Sequence, residues 1–263
     1  MIISGYLASI LIGISLGLIG GGGSILTVPV LVYLFSLDAV LATTYSLFIV
    51  GSTSVAGSVS YFLKGLVNLK ISVFFGLPSV AAVLLTRRFI LPAIPSHILT
   101  LGGFTLTRSI LLMLLFAVLM ILASWSMIKK DGRKASVPAN RSPVALVGLQ
   151  GTATGLITGL IGAGGGFLII PALVNILKLP MKTAVGTSLF IIAINSLTGF
   201  FFSLEHQPVQ WPFLLTITAI ATAGILIGSL LAAKIDGRKL KPAFGWFVLV
   251  MGLYIIVKET LLK

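Results

Sequence analysis

The groups in this chain best suited to hold a ligand are backbone amides exposed by glycine. The run Gly20-Gly21-Gly22-Gly23 precedes Ser24, and Gly162-Ala163-Gly164-Gly165-Gly166 occupies the matching place 142 residues later. Each run lies inside an apolar segment, and each is followed by a proline, Pro29 or Pro171. A turn at membrane depth leaves amides free at the start of the helix that follows, where the helix dipole places roughly half a positive charge. Glycine lets the backbone turn tightly and lets a ligand approach closely. The chemistry this supports is binding of a small anion without a formal positive charge. Gly13, Gly17, Gly155 and Gly159, each pair four residues apart, read instead as helix-packing positions.

The segments after the glycine runs supply hydroxyls and one amide. Thr44, Ser46, Thr187, Ser188 and Asn195 recur at matching places in the two halves or replace a match, and are the side chains expected to orient anion oxygens. Any single Ser or Thr can equally bond its own helix backbone. Asp38, Asp131, Glu205, Asp236 and Glu259 all lie at segment ends or in loops. A midplane charge costs at least about 2.5–3.5 kcal/mol and marks an ion relay where present. Its absence argues against a cation site or a midplane proton carrier. Glu205-His206 reads as a solvated loop, with proton coupling left open, and His97 as a surface histidine. No nucleophile–base set and no metal-ligand spacing occurs, so neither enzyme activity nor a cofactor is expected.

These groups must be positioned by membrane helices. Of the 263 residues 57% are hydrophobic and only 9% charged, with mean hydropathy +1.17. Soluble domains carry about 25% charged residues, so the lipid bilayer is the solvent for much of this chain. The net charge of +13 then marks cytoplasmic loops rather than nucleic acid binding. The absence of cysteine removes disulfides and thiol chemistry. No basic residue precedes the first apolar segment, so that segment is expected to stay in the mature protein.

The chain is an internal repeat. At the 142-residue offset, 17 of the 40 positions from Leu18 to Gly57 are identical, including Ser46-Leu47-Phe48-Ile49 against Ser188-Leu189-Phe190-Ile191. The expected organisation is an N-terminal repeat (1–128), a basic linker (129–143) and a C-terminal repeat (144–263) in one membrane domain. The apolar segments Ser24–Phe35 and Phe167–Leu177 are too short for the roughly 20 residues that cross a bilayer as helix.

Charge discriminates between two topologies. If each glycine run only breaks a spanning helix, the chain crosses eight times and its Lys and Arg divide nine against nine. If each run is the tip of a re-entrant hairpin, each half crosses three times and the division is 13 against five. The positive-inside rule favours the hairpins, which place the linker in the cytoplasm and make the repeats inverted. Arg87, Arg88 and Arg108 fall on the outer face, either attracting anions to an entrance or snorkelling to the interface.

With both glycine runs, their prolines and the string Ala184-Val185-Gly186-Thr187-Ser188-Leu189 in view, the chain resembles the sulfite exporter TauE/SafE family of membrane permeases over nearly its whole length. The first-half counterpart, Ala42-Thr43-Thr44-Tyr45-Ser46-Leu47, departs at Thr43-Thr44-Tyr45, so the two half-sites need not be equivalent. The resemblance implies transport of sulfite, sulfonates or related organosulfur anions across the bacterial inner membrane.

The expectation is an all-α polytopic membrane protein of two inverted repeats, each a glycine-rich re-entrant hairpin followed by three transmembrane helices. Its expected partners are the bilayer and a small anionic substrate. A homodimer is compatible with the sequence, which leaves oligomeric state open. The expected function is alternating-access transport, with an anion channel or a non-transporting scaffold as alternatives.

Overall fold

The computed structural model describes residues 2–19, 21, 24–101, 104–128, 144–204, 209–232 and 237–261. The linker 129–143, Gly20, Gly22, Gly23 and the Glu205-His206 pair lie outside the described residues. The first half comprises α1 (Ile2–Ile19), α2 (Ser24–Tyr33), α3 (Ala39–Leu63) and α4 (Leu69–Leu85), which continues through a π-helical turn (Thr86–Ile90) into α5 (Leu91–Ala93). A hairpin of β1 (His97–Leu101) and β2 (Phe104–Thr107), not anticipated from the sequence, leads into α6 (Arg108–Ile128). The second half comprises α7 (Val144–Ile161), α8 (Gly166–Pro171) with a following π turn (Ala172–Ile176), α9 (Met181–Ser203), α10 (Trp211–Ala232) and α11 (Gly237–Leu261). Five spans among the described residues are long and apolar enough to cross a membrane: α3, α4 through α5, α6, α9 and α10. Helix α11 is 25 residues long and carries Arg238, Lys239 and Lys241 in its first turns.

Local signals start these helices. The Asp38 carboxylate accepts from Val40 N at 2.8 Å and caps α3, so this acid has a structural task. Asn68 does the same for α4 through Ile71 N. Ser36 and Lys178, 142 residues apart, both adopt left-handed backbone (φ 56° and 55°) in the turns that precede α3 and α9. The repeat thus extends to an unusual conformation at matching positions.

The packing obeys the same offset. Helix α1 lies along α10, and its counterpart α7 lies along α4; α3 packs on its own counterpart α9, and α6 packs on α11. Small residues allow the close approaches. Gly13 abuts Ala221 and Gly224, and Gly17 abuts Ile225 and Ser229, so α1 and α10 run parallel. Gly151, Gly155 and Gly159 meet Phe75, Ser79 and Thr86 in turn, so α7 and α4 also run parallel. Gly186 meets Tyr61 whereas Gly199 meets Leu47, so α3 and α9 are antiparallel. Helices α3 and α9, at equivalent places in the two halves, thus run in opposite directions.

Helices α1 and α2 run in opposite directions, and so do α7 and the segment from α8 to Leu179. Tyr6 near the start of α1 and Phe35 beyond the end of α2 stack edge-on at 5.7 Å, and Phe35 meets Phe213 at the start of α10 at 5.0 Å. Both arms of the first hairpin therefore open on one face of the bundle. In the second hairpin, Val147 near the start of α7 shares an apolar cluster with Leu173, Leu177 and Leu179. That cluster also holds Ile71, from the start of α4, and so marks the opposite face. Helix α1 runs beside α10 as far as Ser229.

Candidate functional site

The two hairpin tips meet in the interior. A Cβ on Gly21 would lie 2.9 Å from Cα of Gly166, and one on Gly166 would lie 2.6 Å from Cα of Gly21. The contact is backbone to backbone. Its counterpart under the repeat would pair Ala163 with Ser24, and both of those carry side chains. In the first tip the Ser24 hydroxyl donates to Gly21 O at 2.7 Å and so closes onto its own turn. In the second tip Gly162 N donates to Thr158 O at 2.8 Å and ends α7, after which Gly164 and Gly165 take φ of +65° and +69°. A side chain in that backbone region costs about 1–2 kcal/mol per residue, which is why glycine stands there.

Hydroxyls without partners surround the second tip. A Cβ on Gly164 would reach Val50, Ile192 and the Ser196 hydroxyl, and one on Gly165 would reach Thr158 and Thr154. Thr158 Oγ1 and Ser196 Oγ are buried and have no hydrogen-bond partner among the described residues, as is true of Thr27 Oγ1, Ser46 Oγ and Ser54 Oγ. Leaving such a group unsatisfied costs about 1–3 kcal/mol, and a bound polar ligand would remove that cost. Thr154, Thr158 and Ser196 were not singled out by sequence. Ser196 carried a signal, since it matches Ser54 at the repeat offset.

The side chains expected to orient the anion do not form a single cluster. Thr44 Oγ1 donates to Val40 O at 3.2 Å near the start of α3. Thr187 Oγ1 accepts from Asn68 N at 3.0 Å near the start of α9. Because α3 and α9 are antiparallel, these two residues stand at opposite ends of the pair. Ser188 donates to Val185 O at 2.9 Å, and Ser46 is fully buried beside Thr44 in sequence. Asn195 is fully buried; its Nδ2 donates to Ser79 Oγ at 2.6 Å, and its Oδ1 has no partner among the described residues. The structure brings Gly21, Gly162, Gly164, Gly165 and Gly166 together with Ser24, sets Thr44 beside Thr43 at the edge of Gly162, and leaves Thr187 and Ser188 toward the far face.

Two hydrogen bonds at the ends of the α3–α9 pair are related by the repeat. Asn68 N donates to Thr187 Oγ1 at one face, and Gln210 N donates to Tyr45 Oη at 2.7 Å at the other. Asn68 matches Gln210 and Tyr45 matches Thr187 at the same offset. Each bond ties the loop after the long helix of one repeat to the first turns of the long helix of the other.

Arg87 departs most from its sequence reading. It lies in the π turn and is 3% exposed, whereas its neighbour Arg88 is exposed. The snorkelling reading therefore fails for Arg87. Nη1 of Arg87 donates to Thr43 Oγ1 at 3.3 Å and to Thr44 Oγ1 at 3.4 Å. Nε and Nη2 are buried without a partner among the described residues. Moving an ion from water to such a site costs several kcal/mol unless something compensates.

A family model described as Sulfite exporter TauE/SafE matches residues 6–255. Two proteins of Xylella fastidiosa, each named a probable membrane transporter protein, are similar to the chain. The one from strain 9a5c is 29% identical over 94% of this chain and 91% of its own. The one from strain Temecula1 is 30% identical over the same shares. A probable membrane transporter protein of Bacillus subtilis (strain 168) is 26% identical over 91% of each chain. No solved structure matches.

Proposed function

Because the chain belongs to the sulfite exporter TauE/SafE family, we propose that it carries a small sulfur-containing oxyanion across the cytoplasmic membrane by alternating access, using two repeats inverted with respect to the bilayer. It is a multi-pass membrane transporter; the substrate, the mechanism and the inversion are the proposal. The observation that carries the reading is the meeting of the two glycine tips, Gly21 against Gly166, in the interior of the bundle. A transporter site at a repeat interface, formed by interrupted helices, is a recurrent plan. Gly20, Gly22 and Gly23 belong to the site by sequence. Thr44, Ser46, Thr187, Ser188 and Asn195 enter the proposal as side chains that would orient the anion's oxygens, and the buried Asn195 Oδ1, without a partner among the described residues, supports that role.

The two symmetry-related loop ties support alternating access. Opening one end of the α3–α9 pair requires releasing Asn68 from Thr187, and opening the other requires releasing Gln210 from Tyr45. An exchange between those two openings, with the tips between them, exposes the site to one side at a time.

The test is flux into proteoliposomes of purified protein. Saturable uptake of sulfite or an alkanesulfonate, with counter-flow and little chloride flux, is the expected result. Non-saturating chloride current would favour a channel, and no flux of any anion would favour a scaffold.

The inversion has its own test, for which the absence of native cysteine is convenient. Lys64→Cys and Lys178→Cys, both at exposed positions, are expected to resist an impermeant maleimide in intact cells and to label after permeabilisation. Arg88→Cys is expected to label from outside. External labelling of Lys64→Cys or Lys178→Cys would remove the inverted hairpin topology.

A further inference from the structure

We infer that the Arg87 guanidinium anchors the substrate, holding two oxygens of one oxyanion through its Nε and Nη2 edge beside the second hairpin tip. The inference rests on the transport reading above and gives that site a formal charge.

Three observations carry it. First, the partnerless atoms of Arg87 are Nε and Nη2, the two nitrogens whose N–H bonds point the same way along one side of the guanidinium. That edge is the fork that matches two oxygens of a planar or pyramidal oxyanion. The remaining nitrogen, Nη1, is held by Thr43 and Thr44, which fixes the plane of the group. Of the two carboxylates among the described residues, Asp38 is exposed and caps α3, and Glu259 accepts from Tyr33 Oη at 3.0 Å. Neither is a hydrogen-bond partner of Arg87.

Second, Thr43 joins the guanidinium to the tip. Its hydroxyl receives Nη1, and a Cβ on Gly162 would lie 2.6 Å from its Cβ. Thr43 therefore links the Nη1 side of the guanidinium to the Gly162 turn.

Third, the fold does not require this cluster. At the repeat offset Arg87 becomes Ser229, Thr43 becomes Val185 and Thr44 becomes Gly186. Helix α10 runs without the π turn that interrupts α4, yet it packs on α1 and α3 as α4 packs on α7 and α9. One repeat builds the same architecture with none of the four features, so a purely structural role for Arg87 is not needed by the architecture. Single π turns inside α-helices recur at functional sites. The substrate class that follows is an anion presenting two oxygens to one fork, a sulfonate, sulfite, sulfate or carboxylate. A halide offers the fork one acceptor atom where an oxyanion offers two.

The test compares wild type, Arg87→Gln, Arg87→Lys and the exposed control Arg88→Gln in proteoliposomes, with methanesulfonate and sulfite as probes. The melting temperature without ligand reports folding of each. Arg87→Gln is expected to raise KM at least tenfold. Arg87→Lys is expected to do so as well, because an ammonium keeps the charge and loses the fork. Arg88→Gln should match wild type, and chloride should compete weakly. A KM within twofold of wild type in either folded Arg87 variant, or chloride competing as well as methanesulfonate, would overturn the inference while leaving transport intact. If Arg87→Gln does not fold, Arg87→Lys decides. If wild type shows no flux, the methanesulfonate-dependent rise in melting temperature decides: a rise lost in the Arg87 variants keeps the site and removes the transport reading, and a rise retained in them, or no rise in wild type, removes the site.

Discussion

Replacing Gly166 with alanine is expected to reduce substrate flux at least tenfold in a protein that still inserts and folds. The added Cβ would fall 2.6 Å from Cα of Gly21 and 2.6 Å from Cδ1 of Ile192. Ile192 can change rotamer, but the Gly21 backbone cannot withdraw without shifting the first hairpin. Overpacking of this kind costs about 1–3 kcal/mol, and here the strain enters the contact between the two tips. Gly164→Ala should be at least as severe. Its φ of +65° adds the cost of left-handed backbone, and its Cβ would press on Val50 and the unpaired Ser196 hydroxyl. Proteoliposome flux, compared with melting temperature in detergent, separates loss of function from loss of fold. Flux within twofold of wild type in both folded variants would remove the tips from the mechanism and reduce the glycines to packing devices.

Substitution at the helix-packing glycines should act on stability instead. Gly13→Leu and Gly155→Leu are expected to yield protein that is poorly inserted or melts far below wild type. A Cβ on Gly13 would stand 2.8 Å from Cα of Gly224 and from Ile225 N, and one on Gly155 would stand 2.8 Å from Cα of Ser79. In both cases the obstacle is backbone on a neighbouring helix, so a side chain of any size forces α1 away from α10, or α7 away from α4. Gly148 lies on the same helix as Gly155 and provides the contrast. Its Cβ would find only Pro78 Cγ at 3.8 Å, an ordinary contact. Gly148→Ala should therefore leave the melting temperature unchanged or raise it, because alanine is favoured over glycine in a helix by up to about 1 kcal/mol. A Gly155→Ala protein with the melting temperature of wild type would contradict this packing.

Much of the architecture was legible before any coordinates. Helices α1, α3 and α7 follow apolar runs of the sequence, because residues facing lipid or an apolar interior end where charge and turn residues begin. The distribution of Lys and Arg favours the hairpin reading. Helix directions agree with it: Tyr6 and Phe35 share one face, and Val147 and Leu179 share the other. The strands β1 and β2 were not legible, since a short pairing of Thr- and Leu-containing segments carries no signal distinct from a loop.

The site was legible only in part. The glycine tips were found because four consecutive small residues are unusual inside an apolar segment. The difference between the two copies was also visible, at Thr43-Thr44-Tyr45 against Val185-Gly186-Thr187. Its partner was not. Arg87 stands next to Arg88 near the end of an apolar segment, and by sequence both belong to a membrane face. The fold turns Arg87 inward and leaves Arg88 exposed.

By itself, then, the sequence determined that this is a duplicated membrane protein with two glycine-rich interruptions, because hydropathy, charge bias and repetition are properties of the chain summed over many residues. The tertiary structure alone decided which residues meet. It set Gly21 against Gly166, sent Thr44 and Thr187 to opposite ends of an antiparallel pair, and turned Arg87 inward onto Thr43 and Thr44. Those outcomes depend on helix direction and on rotation about each helix axis, and a change of one residue in register alters both without changing the composition of any segment.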